Sequence, residues 1–339
     1  MTKTVLLIEP TIRPIGVDYL TSNFNVVVAP NGLEETIIEY INEHKAHAVI
    51  IRTEKITKNI LEQCPTLEVI GMHGVGLDTI DVPSATEYGV MVLNAPFSNY
   101  TSVAEHSIMS ILALSRDLRV SDSKVRNNEW NHREVYFPME INAKTLLIVG
   151  MGKVGQDLAK KAKAFNMNVL GFDPFLSESE MKIHGVLKVD DVNLYLPQCD
   201  FISLHAPLTK STYHMFSAEQ FELMKNTSFI INLGRGSLIN EEALLDALVH
   251  KKISGAALDV LEQEPPNSDN PLFKLENVIF TPHFGGDTLE AKDRCSESIT
   301  KEVGIVLQGQ ISRNLVNLQV LGNAKYLNKN SKIQLEGVK

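Results

Sequence analysis

The sequence predicts an α/β protein built from two doubly wound parallel-sheet domains. Three observations lead there. Short β-branched runs recur along the chain and are apolar on both faces, as strands covered by helices on both sides require. The runs are spaced widely enough for a helix to cross over between successive strands. The chain has 339 residues, too many for one simple core and about right for two. The runs at 5–8, 26–28, 49–51, 69–70 and 90–93 supply the first sheet. Those at 146–149, 169–172, 201–204, 229–232, 256–258 and 278–280 supply the second.

The connection between the two sets is readable as well. Asn94-Ala95-Pro96-Phe97-Ser98-Asn99 has loop composition, and Ser102-Val103-Ala104-Glu105 has the form of a capping box opening a long helix. That helix is apolar nearly all round from 103 to 114, so burial between domains or subunits is expected. A second long helix is expected from a cap near Asp287-Thr288-Leu289-Glu290 to about Leu307. Residues 1–99 with 288–325 are therefore assigned to one domain and 100–287 to the other. Residues 326–339 are assigned to a polar, disordered tail.

Composition narrows the class of function. Hydrophobic and charged fractions of 44% and 22% are ordinary for a soluble globular protein. A formal net charge of -9 disfavours nucleic acid and anionic membrane as partners. No apolar run is long enough to cross a bilayer. The first residues offer no cationic leader, long apolar region or cleavage site, so a cytoplasmic location is expected. Cys64, Cys199 and Cys295 are isolated and form neither a C-x-x-C pair nor a disulfide ladder, which suits a reducing compartment.

The clearest motif runs from Thr145 through Gly150-Met151-Gly152-Lys153-Val154-Gly155. It is a strand entering G-x-G-x-x-G, followed by a helix expected from about Val154 to Phe165. Gly150 allows the tight turn, Gly152 lets the backbone approach a pyrophosphate, and Gly155 lets helix and strand pack closely. The helix start adds amide donors and a positive dipole end. Asp173 ends the next strand, where a carboxylate accepts from both hydroxyls of an adenosine ribose. It would repel a 2′-phosphate, and Pro174-Phe175-Leu176-Ser177 supplies no cation. This is the fingerprint of a Rossmann domain that prefers NAD to NADP.

Four further motifs follow later strands, at the edge where open parallel sheets bind ligands. They are Ser203-Leu204-His205-Ala206-Pro207-Leu208-Thr209, Asn232-Leu233-Gly234-Arg235-Gly236, a run from Gly255 through Asp259 to Glu264-Pro265, and Thr281-Pro282-His283-Phe284-Gly285-Gly286. An arginine, a glutamate and a histidine on three separate loops meet only if the fold gathers strand ends.

With these motifs the chain resembles the D-isomer-specific 2-hydroxyacid dehydrogenase family over roughly residues 3–320, and within it the 3-phosphoglycerate dehydrogenase branch. Asn94 to Asn99 is the segment most suggestive of that branch. The resemblance implies that Arg235, Glu264 and His283 are catalytic. It implies a substrate-binding turn at Gly74-Val75-Gly76, although the family's Asp-Asn pair reads Asp78-Thr79 here. It implies a Rossmann NAD domain inserted into a flavodoxin-like substrate domain, a catalytic cleft between the two, and homodimers or higher oligomers formed around the long helix. Asp259 is expected to touch the nicotinamide carboxamide. Arg52, ending a strand, is matched to an arginine of that branch and expected to face the substrate's phosphate, with Lys55 and Arg133 as unplaced extra charge. The branch's large members carry a C-terminal serine-sensing domain, and this chain is expected to stop before one.

The cofactor-binding set is then Gly150, Gly152, Lys153, Val154, Gly155, Asp173, Pro174, His205, Ala206, Leu233, Gly234, Arg235, Asp259, His283 and Gly285. The substrate set is Arg52, Gly74, Val75, Gly76, Arg235 and His283. Residue chemistry agrees with the implied roles. His283 suits proton transfer near neutrality, Glu264 favours its protonated form, and Arg235 suits a carboxylate clamp.

Plainer readings exist for several residues. His205 is expected only to line the cofactor cleft, and His106 to be a satisfied core histidine. His44 and His47 belong at a helix C-terminus rather than in a metal site, and no metal site is expected. The expected function is NAD-dependent oxidation or reduction at C2 of a small acid, with 3-phosphoglycerate and 3-phosphohydroxypyruvate favoured. The alternatives are a glyoxylate, hydroxypyruvate or D-lactate-type reductase. Formate dehydrogenase shares the fold, but Glu264 argues against it. An NAD-sensing co-repressor-like binding protein is the rival of another class.

Overall fold

The structure, a computed structural model, describes residues 2–8 and 12–327. From residue 328 on, the expected polar tail lies outside the described residues. The chain divides into two compact units, one of Met1–Asn99 and Asp287–Lys339, the other of Tyr100–Gly286.

In the first unit, β1 (Thr4–Ile8), β2 (Asn25–Ala29), β3 (Ala48–Ile51), β4 (Val69–Met72) and β5 (Met91–Leu93) form one parallel sheet. Its order is β2-β1-β3-β4-β5, the flavodoxin-like order that was expected. The two-residue alternation of a strand splits its side chains between two cores. Leu6 and Ile8 join Ile37, Ile41 and Ile60, carried by the helices Glu34–Glu43 and Lys58–Gln63. Val5 and Leu7 join Leu20, Ile299 and Val303, carried by Pro14–Asn23 and Leu289–Leu307. The last helix is capped by the Thr288 side chain, which accepts from Ala291 N–H, not by Asp287 as the sequence suggested. Asp287 is held elsewhere, by an arginine described below.

The second unit holds β6 (Thr145–Val149), β7 (Asn168–Phe172), β8 (Leu187–Lys188), β9 (Phe201–Leu204), β10 (Phe229–Asn232), β11 (Gly255–Leu258) and β12 (Val278–Phe280). They pair in parallel in the order β12-β11-β10-β9-β6-β7-β8, a Rossmann sheet with one added strand. β8 has no apolar run to announce it, being two residues with Leu187 exposed at the sheet edge. Leu147 and Val149 of β6 face one core, and Leu146 and Ile148 the other. The second core is closed by Ala104, Ile108, Ile111 and Leu114 of the long helix.

That helix, Tyr100–Ser115, departs from expectation in where it begins. It starts at Tyr100, so Ser102 is buried inside the first turn and is not a cap. Within this chain its Glu105 and Met109 are exposed. The small polar residues in its apolar stretch explain how it packs. Ser107 and Ser110 return their hydroxyls to the carbonyls of Val103 and His106, so both can be buried at no hydrogen-bonding loss.

Candidate active site

The glycine turn follows β6. Gly150 has φ +95°, and a side chain there would strike the backbone of Ala206. A side chain on Gly155 would overlap the Gly150 carbonyl. Gly152 is different: nothing in the chain lies within 4 Å of where its Cβ would sit, so no contact within the protein requires glycine there. It caps the 12-residue helix Lys153–Ala164, which opens with Lys153, Val154 and Gly155 and so sets a helix N-terminus at the glycine turn. At the end of β7, Asp173 is oriented by two backbone donors, Met151 N–H on Oδ2 and Phe175 N–H on Oδ1, both at 3.0 Å. Each oxygen keeps capacity for another donor. No Lys or Arg occurs in Pro174-Phe175-Leu176-Ser177. A bare cradle, a helix start and a pre-set carboxylate fit a dinucleotide.

His205 follows β9, with its ring 2.8 Å from the Ser203 hydroxyl. Burial pushes its pKa down to about 3, so it is neutral near pH 7 and no proton donor. Ala206 is buried against Gly150, and Leu233 and Gly234 follow β10.

Arg235 comes next. Asn232 fixes this turn from both sides, accepting from Gly234 N–H at 3.1 Å and donating to the Arg235 carbonyl at 2.9 Å. Gly236 lies against the backbone of Leu261 with no room for a side chain, which ties the arginine turn to the loop after β11. That loop carries Glu264. It is clasped reciprocally: Glu241 N–H donates to Glu262 Oε1 at 2.8 Å, and Glu262 N–H to Glu241 Oε1 at 2.7 Å. Glu264 Oε1 accepts from Leu261 N–H at 3.0 Å, and Oε2 stands 2.6 Å from His283 Nδ1.

The electrostatics of this pair are one-directional. The hydrogen bond from Glu264 raises the His283 pKa above its ordinary value; burial opposes it, the charges of Glu264 and Asp259 add to it, and Arg235 subtracts. For Glu264, burial works against ionisation. The His283 hydrogen bond, the Leu261 amide and the charges of His283 and Arg235 outweigh it and leave the pKa lowered. Both shifts favour imidazolium beside carboxylate, and Nδ1 being taken by Glu264 leaves Nε2 as the other ring nitrogen.

Asp259, expected at the nicotinamide, is 6% exposed and engaged within the protein. Oδ1 accepts from Thr281 Oγ1 at 2.6 Å and Phe284 N–H at 3.0 Å, and Oδ2 from Gly285 N–H at 2.9 Å. His106, expected as a core residue, reaches Thr281 Oγ1 at 3.1 Å. Neither the Glu241–Glu262 clasp nor this contact was legible in the sequence, because one joins a helix start to a loop 21 residues on and the other a helix to a loop 175 residues away.

In the first unit, Gly74, Val75 and Gly76 follow β4. The Gly74 and Val75 carbonyls are taken by Ala95 N–H and Asn94 Nδ2, both at 2.8 Å. Arg52 follows β3, beside β1, where the strand order reverses. Its guanidinium is paired with Asp287, whose carboxylate is also 3.4 Å from Lys292. The sequence offered Asp287 only as a helix cap, not as a partner of Arg52. Among the described residues, no group of three or more His, Cys, Asp or Glu is placed to hold a metal ion. No described helix is long and apolar enough to cross a membrane.

Comparison with known proteins bears on this arrangement. Residues 108–285 match the model of the D-isomer specific 2-hydroxyacid dehydrogenase NAD-binding domain. The chain is 40% identical over 314 residues to D-3-phosphoglycerate dehydrogenase of Methanocaldococcus jannaschii, covering 92% of this chain and 59% of that one. It thus spans somewhat under two thirds of that relative. It is 38% identical over 291 residues to glyoxylate reductase of Thermococcus litoralis, covering 84% and 87%. Among solved structures, an acyclic imino acid reductase in complex with NADPH and D-Arg superposes with a TM-score of 0.83. It is 28% identical, over 93% of this chain and 99% of that one.

Proposed function

The chain belongs to the D-isomer-specific 2-hydroxyacid dehydrogenase family, and on that premise we propose that it is an NAD-dependent dehydrogenase acting at C2 of a small 2-hydroxy or 2-oxo acid. The observation that carries this reading is the 2.6 Å contact of His283 Nδ1 with Glu264 Oε2, with Arg235 close enough to perturb both. When bound, NAD(H) supplies or accepts the hydride. The chain's own residues do the rest. Glu264 keeps His283 protonated, and Nε2 gives a proton to the carbonyl oxygen in reduction or takes one from the hydroxyl in oxidation. Arg235 clamps the carboxylate with its planar fork. The amides of Val75 and Gly76 are proposed as further contacts to the substrate. The turn from Gly150 to Gly155 and the following helix start hold the pyrophosphate, and Asp173 the adenosine ribose. A cytosolic location belongs to this proposal, supported by Cys64, Cys199 and Cys295 being carried as buried free thiols.

The favoured substrate is 3-phosphoglycerate with its oxo acid, 3-phosphohydroxypyruvate. Arg52 at the order reversal of its sheet supports this, as does the likeness to a protein named D-3-phosphoglycerate dehydrogenase. The Arg52–Asp287 pair favours a second reading, a glyoxylate- or hydroxypyruvate-type reductase, because a carboxylate on the guanidinium repels an incoming phosphate. Initial rates on 3-phosphohydroxypyruvate, hydroxypyruvate, glyoxylate and pyruvate, each with NADH and NADPH, separate the two. The first reading expects the phosphorylated acid to be preferred and Arg52→Ala to raise its KM about tenfold or more. That is the loss of one charge-assisted contact, roughly 1.5–3 kcal/mol. The other acids should barely change. A preference for glyoxylate that ignores Arg52 selects the second reading. In either case Asp173 sets a preference for NADH of at least about a hundredfold, since a phosphate beside an unpaired carboxylate is strongly disfavoured. Equal efficiency with NADPH contradicts that assignment. NADH binding without turnover on any acid would favour a binding protein.

The proposed enzyme is a homodimer or higher homo-oligomer. On the second unit Met109 and Leu118, 44% and 59% exposed, line one groove with Ile108 and Leu112, apolar surface that a second copy would cover. Sedimentation that finds only monomer at micromolar concentration contradicts this.

A further inference from the structure

His106 has no role in the chemistry described so far, and the sequence reads it as an ordinary core histidine. Its surroundings say otherwise. The ring Nε2 is 3.1 Å from Thr281 Oγ1, and that hydroxyl is 2.6 Å from Asp259 Oδ1. A hydroxyl has one proton. Asp259 already receives Phe284 N–H and Gly285 N–H, so it is the acceptor and the Thr281 proton points to it. His106 Nε2 must then be the donor to Thr281. The relay runs His106 Nε2–H to Thr281 Oγ1–H to Asp259. Phe284 packs edge-on against the His106 ring, with centroids 5.5 Å apart at 79°. Thr281, Phe284 and Gly285, all held by this relay, bracket His283. His283 itself has φ +51°, a left-handed conformation that a side chain adopts only where its surroundings impose it, and its N–H is held by the Asp259 carbonyl at 2.8 Å.

We propose that His106 is a positioning residue for His283, fixing through the Thr281 hydroxyl and the Asp259 carboxylate the backbone from which the proton donor extends. The inference rests on the reading of His283 as proton donor. Every group in the relay sits in the same unit. The groups that charge His283 are Glu264, Asp259 and Arg235, and Asp259 is also the charge that acts on His106. Loss of the relay would let the loop drift, stretch the His283–Glu264 bond and release the histidine toward its ordinary pKa. The relay needs a donor at one end and a hydroxyl in the middle, and nothing else about the two side chains. Gln in place of His106 puts an amide N–H close to the position of Nε2, and Ser in place of Thr281 keeps the hydroxyl.

The test compares His106→Leu, Thr281→Val, their double variant, His106→Gln and Thr281→Ser. The readouts are the imidazole titration of His283 by NMR in the cofactor-free protein, reduction rates across pH, and NADH affinity. His283 is assigned by the signal lost in His283→Gln. Leu and Val are expected each to lower kcat about tenfold, and the double variant no more than either single one, because both cut one relay. The His283 titration should move to lower pH in both, with NADH affinity unchanged, while Gln and Ser restore most of the rate and the titration. An unmoved titration together with an unchanged kcat overturns the inference, even if thermal stability falls. So do additive losses in the double variant, or losses confined to NADH affinity. A displaced titration in a protein that reduces no 2-oxo acid supports the positioning and removes the proposed reaction instead.

Discussion

His283→Gln is expected to remove most turnover, by about a hundredfold to ten-thousandfold, the usual worth of a positioned general acid or base. Glutamine keeps a polar group of similar reach but has no proton to transfer at neutral pH. NADH affinity should change little, because most of the residues proposed to hold the dinucleotide, those of the turn from Gly150 to Gly155, Asp173 and those around His205, lie on other loops of the sheet. Stopped-flow reduction rates and a fluorescence titration with NADH separate the two effects. A loss appearing only in NADH affinity would make His283 a cofactor contact. The partner variant, Glu264→Gln, should keep measurable activity, since it leaves a hydrogen-bonding group against Nδ1 and removes only its charge.

Arg235→Lys is expected to be nearly as damaging as Arg235→Ala, each losing at least about a hundredfold in kcat/KM. A clamp of two charge-assisted contacts is worth roughly 3–6 kcal/mol, and lysine keeps the charge but loses the planar fork. The lysine ammonium also cannot keep the place of Nη1, which bonds the Gly234 carbonyl at 2.8 Å and so aims the guanidinium. KM and kcat should both suffer, because the clamp positions C2 as well as binding the acid. Steady-state kinetics of the two variants on the preferred acid decide it. A lysine variant near wild-type efficiency would mean that only the charge matters.

The sheet architecture was legible because it follows from short-range pattern. Eleven of the twelve strands among the described residues announce themselves as apolar runs, and the exception, Leu187–Lys188, is a two-residue edge with Leu187 exposed. The residues of the dinucleotide turn were legible because glycine spacing reports backbone demands directly, as Gly150 at φ +95° illustrates. What stayed hidden was polar and long-range. Asp287 reads as a helix cap, yet Thr288 caps the helix and Asp287 turns to Arg52, 235 residues away in sequence. His106 and Thr281 are separated by 175 residues, and no local pattern links them. Asp259 was visible as a motif residue, but its three donors are two loop amides and a hydroxyl that only the fold brings around it. Ser102 misled for a related reason: S-x-x-E is a cap signature only where the helix begins, and this helix begins two residues earlier.

The central claim is that one histidine, kept protonated by Glu264, handles the proton. Its most direct test is the alkaline limb of the pH–rate profile for 2-oxo acid reduction, measured in the wild type and in Glu264→Gln under saturating NADH. The sign follows from the charge. The carboxylate raises the His283 pKa, so removing it lowers that pKa. Reduction needs the imidazolium, so activity present below the histidine's pKa should be lost at lower pH in the variant than in the wild type. A limb displaced toward acid in Glu264→Gln, with NADH affinity unchanged, is the predicted result. A limb that stays where the wild type has it, or moves toward alkali, would contradict the account.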